Sequence, residues 1–152
     1  MEDKIKELIK KRKEYNIKCC DILLIILKYV TADMKFEELL DNLLEHGINF
    51  NMESYYTYEN LSVLLFLFET NPERTVPLDM DNLNENEEFN IKCCEILKDI
   101  FNNIHPEIRF EQLLYIIFPD GLNKNIESVD TYQHLKNYLN KIKNDKLQDG
   151  IF

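Results

Sequence analysis

Two pairs of adjacent cysteines, Cys19-Cys20 and Cys93-Cys94, are the residues of this chain with the greatest capacity for chemistry. Four thiolates could hold a zinc ion or run a redox couple. Zinc pairs, however, leave roughly two to four residues between ligands so that both sulfurs reach one ion, whereas neighbours on a helix point about 100° apart. Nor can neighbouring cysteines close a disulfide without breaking the helix that carries them. The pairs therefore read as small apolar core residues kept reduced. The three histidines, His46, His105 and His134, belong to no metal or nucleophile motif and read as surface or capping residues. Residues 120–127 alternate oxygen ligands as a calcium loop does, but lack the glycine at its sixth position and the glutamate at its twelfth. Their asparagines fit turn amides better. With no Gly-rich phosphate loop and no nucleophile elbow, the sequence offers no catalytic residue, no metal ligand and no cofactor site, and the expectation is a protein that is not an enzyme.

These residues sit in a repeated frame. Residues 15–68 and 89–142 align at an offset of 74 without a gap, and 21 of the 54 positions are identical. Tyr15-Asn16-Ile17-Lys18-Cys19-Cys20 is answered by Phe89-Asn90-Ile91-Lys92-Cys93-Cys94, Phe36-Glu37 by Phe110-Glu111, and Gly47-Ile48-Asn49 by Gly121-Leu122-Asn123. Glu53-Ser54 and Thr57-Tyr58 likewise recur as Glu127-Ser128 and Thr131-Tyr132. Chance does not give such agreement.

Each copy reads as three helices. Ile17, Cys20, Leu23, Leu27 and Val30 recur at three and four, the spacing of one helical face. Pro106 pushes the residue before it out of helical geometry and suits a first turn, so the first helix of copy 2 should end near Asn103 and the second run from about 107 to 118. Its counterpart should span 33–45 and stop at Gly47. Residues 49–52 alternate polar and apolar, which suits a tiny two-stranded β bridge between copies. Ser54 or Thr57, and Ser128 or Thr131, offer N-cap hydroxyls to third helices at 57–68 and 131–143. The expected fold is all-α: a tandem three-helix unit packed with pseudo-twofold symmetry into one compact domain. Around the copies lie an N-terminal helical extension (1–14), an acidic linker (69–88) and a tail (143–152). The linker carries Asp79, Asp81, Glu85, Glu87 and Glu88, which read as a solvated connection or as an acidic strip facing a basic partner.

Charge narrows the partners. At a formal −10 the chain repels phosphate backbones and anionic lipid and favours basic surfaces. A helix-turn-helix reading has only the basic cluster Lys4, Lys6, Lys10, Lys11, Arg12 and Lys13 behind it, since residues 57–68, where a recognition helix would lie, have almost no basic side chain. The longest apolar runs, 22–27 and 63–68, fall far short of the ~20 residues that span a bilayer, and the charged start of the chain lacks the apolar core of a signal peptide. The expectation is a cytoplasmic protein whose partner is another protein.

Differences between the copies point to where. Copy 1 is apolar at Leu24, Ile25, Tyr29, Phe50, Tyr56, Val63, Phe66 and Leu67, whereas copy 2 has Lys98, Asp99, Asn103, Lys124, Asp130, Asn137, Asn140 and Lys141. All eight lie off the shared core face, and Leu24, Ile25, Tyr29, Phe50, Tyr56, Phe66 and Leu67 form the candidate interaction surface, to be covered by the chain's own termini and linker, by a second copy in a homodimer, or by a different protein. Finally, Pro106-Glu107-Ile108-Arg109-Phe110-Glu111-Gln112-Leu113-Leu114 resembles the P-x-x-R-F-x-Q-L-L segment of small helical bacterial and phage proteins of unassigned activity, over residues 105–142. The resemblance implies a bacterial or mobile-element origin, and with it a phage or plasmid accessory or inhibitor protein. The alternatives are a helical nucleic-acid-binding regulator that uses the basic N-terminal segment, and a small enzyme with a site between the copies.

Overall fold

The structure is a computed structural model that describes residues 2–74 and 76–149, the side chains of 146–149 excepted. Among the described residues six helices follow one another: α1 (Glu2–Ile26), α2 (Phe36–Leu43), α3 (Ser54–Thr70), α4 (Glu85–Asn103), α5 (Phe110–Ile117) and α6 (Ser128–Asp149). The fold is all-α, and the described residues contain no strand. Residues 49–52 are therefore no β bridge. Asn49 folds its side chain back to accept the Asn51 amide, and Met52 N–H closes on the Asn49 carbonyl. That Asx turn consumes the backbone groups a bridge would need.

The three–four periodicity of the long helices buries Cys19, Cys20, Leu23 and Ile26 of α1 together with Cys93, Cys94, Leu97 and Ile100 of α4. α1 packs on α3, α4 on α6, and α1 and α4 on each other, with Lys98 reaching Asp21 across that contact at 2.9 Å. The short helices go elsewhere than chain order suggests. α2 packs on α6, and α5 on α1 and α3, so the middle helix of each half completes the core of the other. Phe110 at the start of α5 is fully buried and stacks on Phe101 with ring centroids 5.3 Å apart.

What holds these exchanged helices is a set of buried polar bonds. An α-helix starts with amides that have no partner inside it, and α5 begins in the interior. Its Phe110 N–H is met by the Ser54 hydroxyl, whose proton goes to Asn16 Oδ1. The Asn16 amide then donates to the Ile108 carbonyl just ahead of the helix, at 2.8 Å. Every one of these bonds recurs with its residues shifted by 74: Phe36 N–H to Ser128, Ser128 to Asn90, and Asn90 to the Met34 carbonyl. A second set does the same through carboxylates. Glu111 accepts from Asn49 N–H and from the Thr57 hydroxyl, and Glu37 from Asn123 N–H and Thr131.

Several sequence expectations change accordingly. Ser54 and Ser128 do cap helices, but α5 and α2, not the helices that carry them. Thr57 and Thr131 anchor a carboxylate from the other half. Both middle helices are shorter than expected, because 31–35 and 105–109 form turns before them. Gly47 and Gly121 stop them, at φ +83° and +88°, which any side chain would strain. The N-terminal extension continues α1 without a break, and the third helices start three residues earlier than expected. The linker is confined to 71–84 and is docked, not merely solvated: Glu73 N–H bonds the Tyr29 carbonyl, and Asn84 and Asn86 donate to the Ala32 carbonyl. The expected tail is helical through Asp149, and its last three residues lie outside the described ones.

Two outcomes test this network and the core around it. Ser54→Ala and Ser128→Ala should each lower unfolding free energy by about 2 kcal/mol, because each strands a buried amide and an Asn carbonyl oxygen together. Chemical denaturation followed by circular dichroism measures this, and Ser62→Ala, whose hydroxyl only bonds back to Tyr58 on its own helix, should fall within about 0.5 kcal/mol of the parent. All four thiols are buried and reduced, and burial pushes each well above its ordinary ionisation range. A thiol reagent at pH 8 should therefore label none of them in the native protein within the time that labels all four in denaturant.

Candidate functional site: a groove and an apolar face on copy 1

The groove follows from how α2 ends. After Leu43 the chain turns through Leu44 to Gly47 and runs back along α3, leaving an open trough of about 590 Å³ between residues 43–52 and the α3 side chains Thr57, Asn60, Leu61, Val63 and Leu64. That is the size of small-ligand and side-chain pockets. Its walls are mostly aliphatic, His46 and Asn60 stand on the exposed rim, and Glu111 enters the lining from α5. Both Glu111 oxygens are held by copy 1 donors, the Asn49 amide and the Thr57 hydroxyl. The carboxylate is a structural acceptor that ties α5 to copy 1.

On copy 2 the corresponding place is furnished differently. His134, the counterpart of Asn60, lays its ring against Phe118 at 5.7 Å between centroids and brings Nε2 to 2.7 Å from the Ile117 carbonyl. Since a carbonyl only accepts, Nε2 is the protonated nitrogen. Three pairs set the contrast: Leu44 against Phe118, Asn60 against His134, Leu64 against Tyr138. At each, copy 1 has the smaller side chain. Sequence reasoning took His134 only as a surface or capping residue and compared the copies for polarity. Comparison for bulk carries the signal.

Beside the groove lies the apolar face. Of the candidate surface residues, Ile25, Phe50, Tyr56, Phe66 and Leu67 are exposed, the last three by more than half, while Leu24 and Tyr29 are half-buried; Val63 beside them is also exposed by more than half. Phe50 and Val63 also line the groove, so trough and face are continuous. Among the described residues, neither terminus nor linker covers this face. α1 projects past the start of α3, with its own Ile5 and Leu8 exposed, and is tied there by the Arg12 guanidinium gripping both oxygens of Glu53 at 2.8 and 3.0 Å. That pair raises the Arg12 pKa further. Next to it, Tyr15, Tyr55, Tyr56 and Tyr58 form an aromatic cluster, Lys18 sits 4.7 Å over the Tyr15 ring, and a hydrogen bond to Glu59 raises the Tyr55 pKa.

Of the acidic strip, Asp79, Asp81, Glu85 and Glu88 are exposed and Glu87 is half-buried. Glu87 pairs with Arg74 at 3.1 Å in a half-buried contact and accepts the Asn84 amide at the start of α4. Glu88 pairs with Lys92 one turn on, and Asp79 accepts the Asp81 amide within a turn. Glu85, Glu87 and Glu88 lie in the first turn of α4, where acidic side chains favour the macrodipole. The histidines separate: His46 stands on the groove rim, His105 Nδ1 accepts the Glu107 amide in the turn before α5, and His134 is the ring described above. Among the described residues, no three His, Cys, Asp or Glu side chains are grouped so as to hold a metal ion, and no helix is long and apolar enough to cross a membrane. Neither a family model, nor a curated protein sequence, nor a solved structure matches this chain.

Proposed function

We propose that this chain is a non-catalytic protein–protein interaction module, two copies of one three-helix unit joined about a pseudo-twofold axis, whose partner docks on the α3 face of copy 1. The observation that carries this is the exposure of Tyr56, Val63, Phe66 and Leu67 on one helix, at 57%, 60%, 64% and 54%. The spacing puts them on adjoining strips of one surface, and contiguous apolar surface of that kind marks contact sites. The fold itself does not require it: α6 presents Asp130, Asn137, Asn140 and Lys141 at the corresponding positions. A net charge of −10 favours a partner with a basic surface. On the resemblance of residues 105–142 to small bacterial and phage proteins, the reading extends to a cytoplasmic accessory or inhibitor protein of a mobile element. Such a protein would occupy the basic surface of a nucleic-acid enzyme.

A homodimer on the same face is the second reading, favoured by the absence of charge from Leu61 to Phe68, so that two copies could meet without repulsion. The nucleic-acid reading loses Arg12, which is committed to Glu53. For an enzyme between the copies, Glu111 is already engaged by the Asn49 amide and the Thr57 hydroxyl, and burial pushes the Cys19 and Cys93 thiols up.

The test is a double substitution, Val63→Asp with Phe66→Asp, which leaves the core untouched. The far-ultraviolet circular dichroism should stay that of the parent, while the partner captured from the source cell, or the dimer mass in light scattering, falls by at least about tenfold. Unchanged capture and unchanged mass would overturn the docking face.

A further inference from the structure

The groove on copy 1 has the features of a recognition pocket, and copy 2 indicates what would fill it. In copy 2, the flat ring of His134 leans on Phe118 and gives its N–H to the Ile117 carbonyl, the last of α5. The corresponding carbonyl in copy 1 is that of Leu43, the last residue of α2, and Leu43 lines the groove. Among the described residues no hydrogen bond reaches it, because Gly47 N–H closes on Leu44 instead. Asn60, at the place of His134, sends no bond there either. Copy 1 thus keeps the acceptor and the aliphatic wall and lacks the ring. The cleft is bordered by Phe50 and Val63, which carry it into the exposed face.

We infer that this groove takes a flat aromatic side chain bearing an N–H donor, Trp or His, from the docked protein, the ring lying over Leu44 and Leu64 and the N–H reaching the Leu43 carbonyl. This rests on the interaction reading for the source of the ring, but the pocket's chemistry is independent of it. A carbonyl at a helix end is a strong acceptor, because the unpaired C=O groups and the macrodipole concentrate negative charge there. An aromatic anchor set in a pocket beside a flat apolar face is the common anatomy of a protein contact.

The experiment titrates the full-length chain with N-acetyltryptophanamide and N-acetylhistidinamide, and with N-acetylphenylalaninamide as the ring without a donor, following backbone amide resonances. Expected is a saturable shift confined to residues 43–52 and 57–64 with the tryptophan and histidine probes, and binding of the phenylalanine probe weaker by about tenfold, the worth of one hydrogen bond. Asn60→His, an exposed substitution that supplies the ring in place, should abolish the shift without altering the helical spectrum. His134→Asn should open a second site, seen at 117–126 and 131–138. Equal binding of the phenylalanine probe, undiminished binding to Asn60→His, or no groove shift at millimolar probe would each overturn the pocket. Failure of the interaction reading looks different: the probes bind as stated, while Val63→Asp with Phe66→Asp leaves partner capture and mass unchanged.

Discussion

The starts of α2 and α5 set the terms for the rest of the molecule. Each is a helix of only eight residues whose first amide lies in the interior. A helix that short has little stability of its own, and a buried unpaired amide costs as much as a lost hydrogen bond. Both conditions are met only if the helix is inserted beside a hydroxyl held in advance by another element. Ser54 and Ser128 are that hydroxyl, and each is oriented by an asparagine that also fastens the chain just before the inserted helix. The consequence is that neither half can complete its own core. The two must fold together, and the 14-residue linker from α3 to α4 has only to keep them in reach.

Much of this was legible in the sequence, and the part that was not has a specific cause. Six helices, the stop at Gly47, the buried cysteines and the exposure of Ile25, Phe50, Tyr56, Phe66 and Leu67 follow from periodicity and from the offset of 74, whereas Leu24 and Tyr29 are half-buried. The exchange of α2 and α5 does not follow from them. When Asn16, Glu37, Ser54 and Thr57 have identical counterparts at Asn90, Glu111, Ser128 and Thr131, each helix-two carboxylate fits the threonine of either copy equally well. Pattern cannot choose between bonding within a copy and bonding across. One clue was available. Glu37 and Glu111 follow a phenylalanine at the start of an apolar segment, in both copies, and a carboxylate repeated next to core positions calls for a buried partner. The groove was missed for a different reason, since it is made by missing volume at Leu44, Asn60 and Leu64, and polarity comparisons are blind to volume.

The division between what repeats and what differs is physical. Buried polar groups tolerate little change, because removing one partner strands the other, and the repeated residues are largely those of the hydrogen-bonded network and the core around it. Outward positions of α3 and α6 meet no such constraint. They differ in both charge and size, and they carry the aromatic and aliphatic face on one helix and asparagine and lysine on the other.

Joining the two halves in one chain makes that division useful. If two separate copies formed the same exchanged pair, every surface residue would occur twice, and an apolar face on one side would stand on the other as well. Such a particle presents two sticky faces and invites association into chains or larger assemblies. Within one polypeptide, copy 2 can carry Asp130, Asn137, Asn140 and Lys141 while copy 1 keeps Tyr56, Val63, Phe66 and Leu67. The paired network then supplies the stability, drawing on both halves equally, while the unpaired outward positions are left free to differ, apolar on α3 and polar on α6.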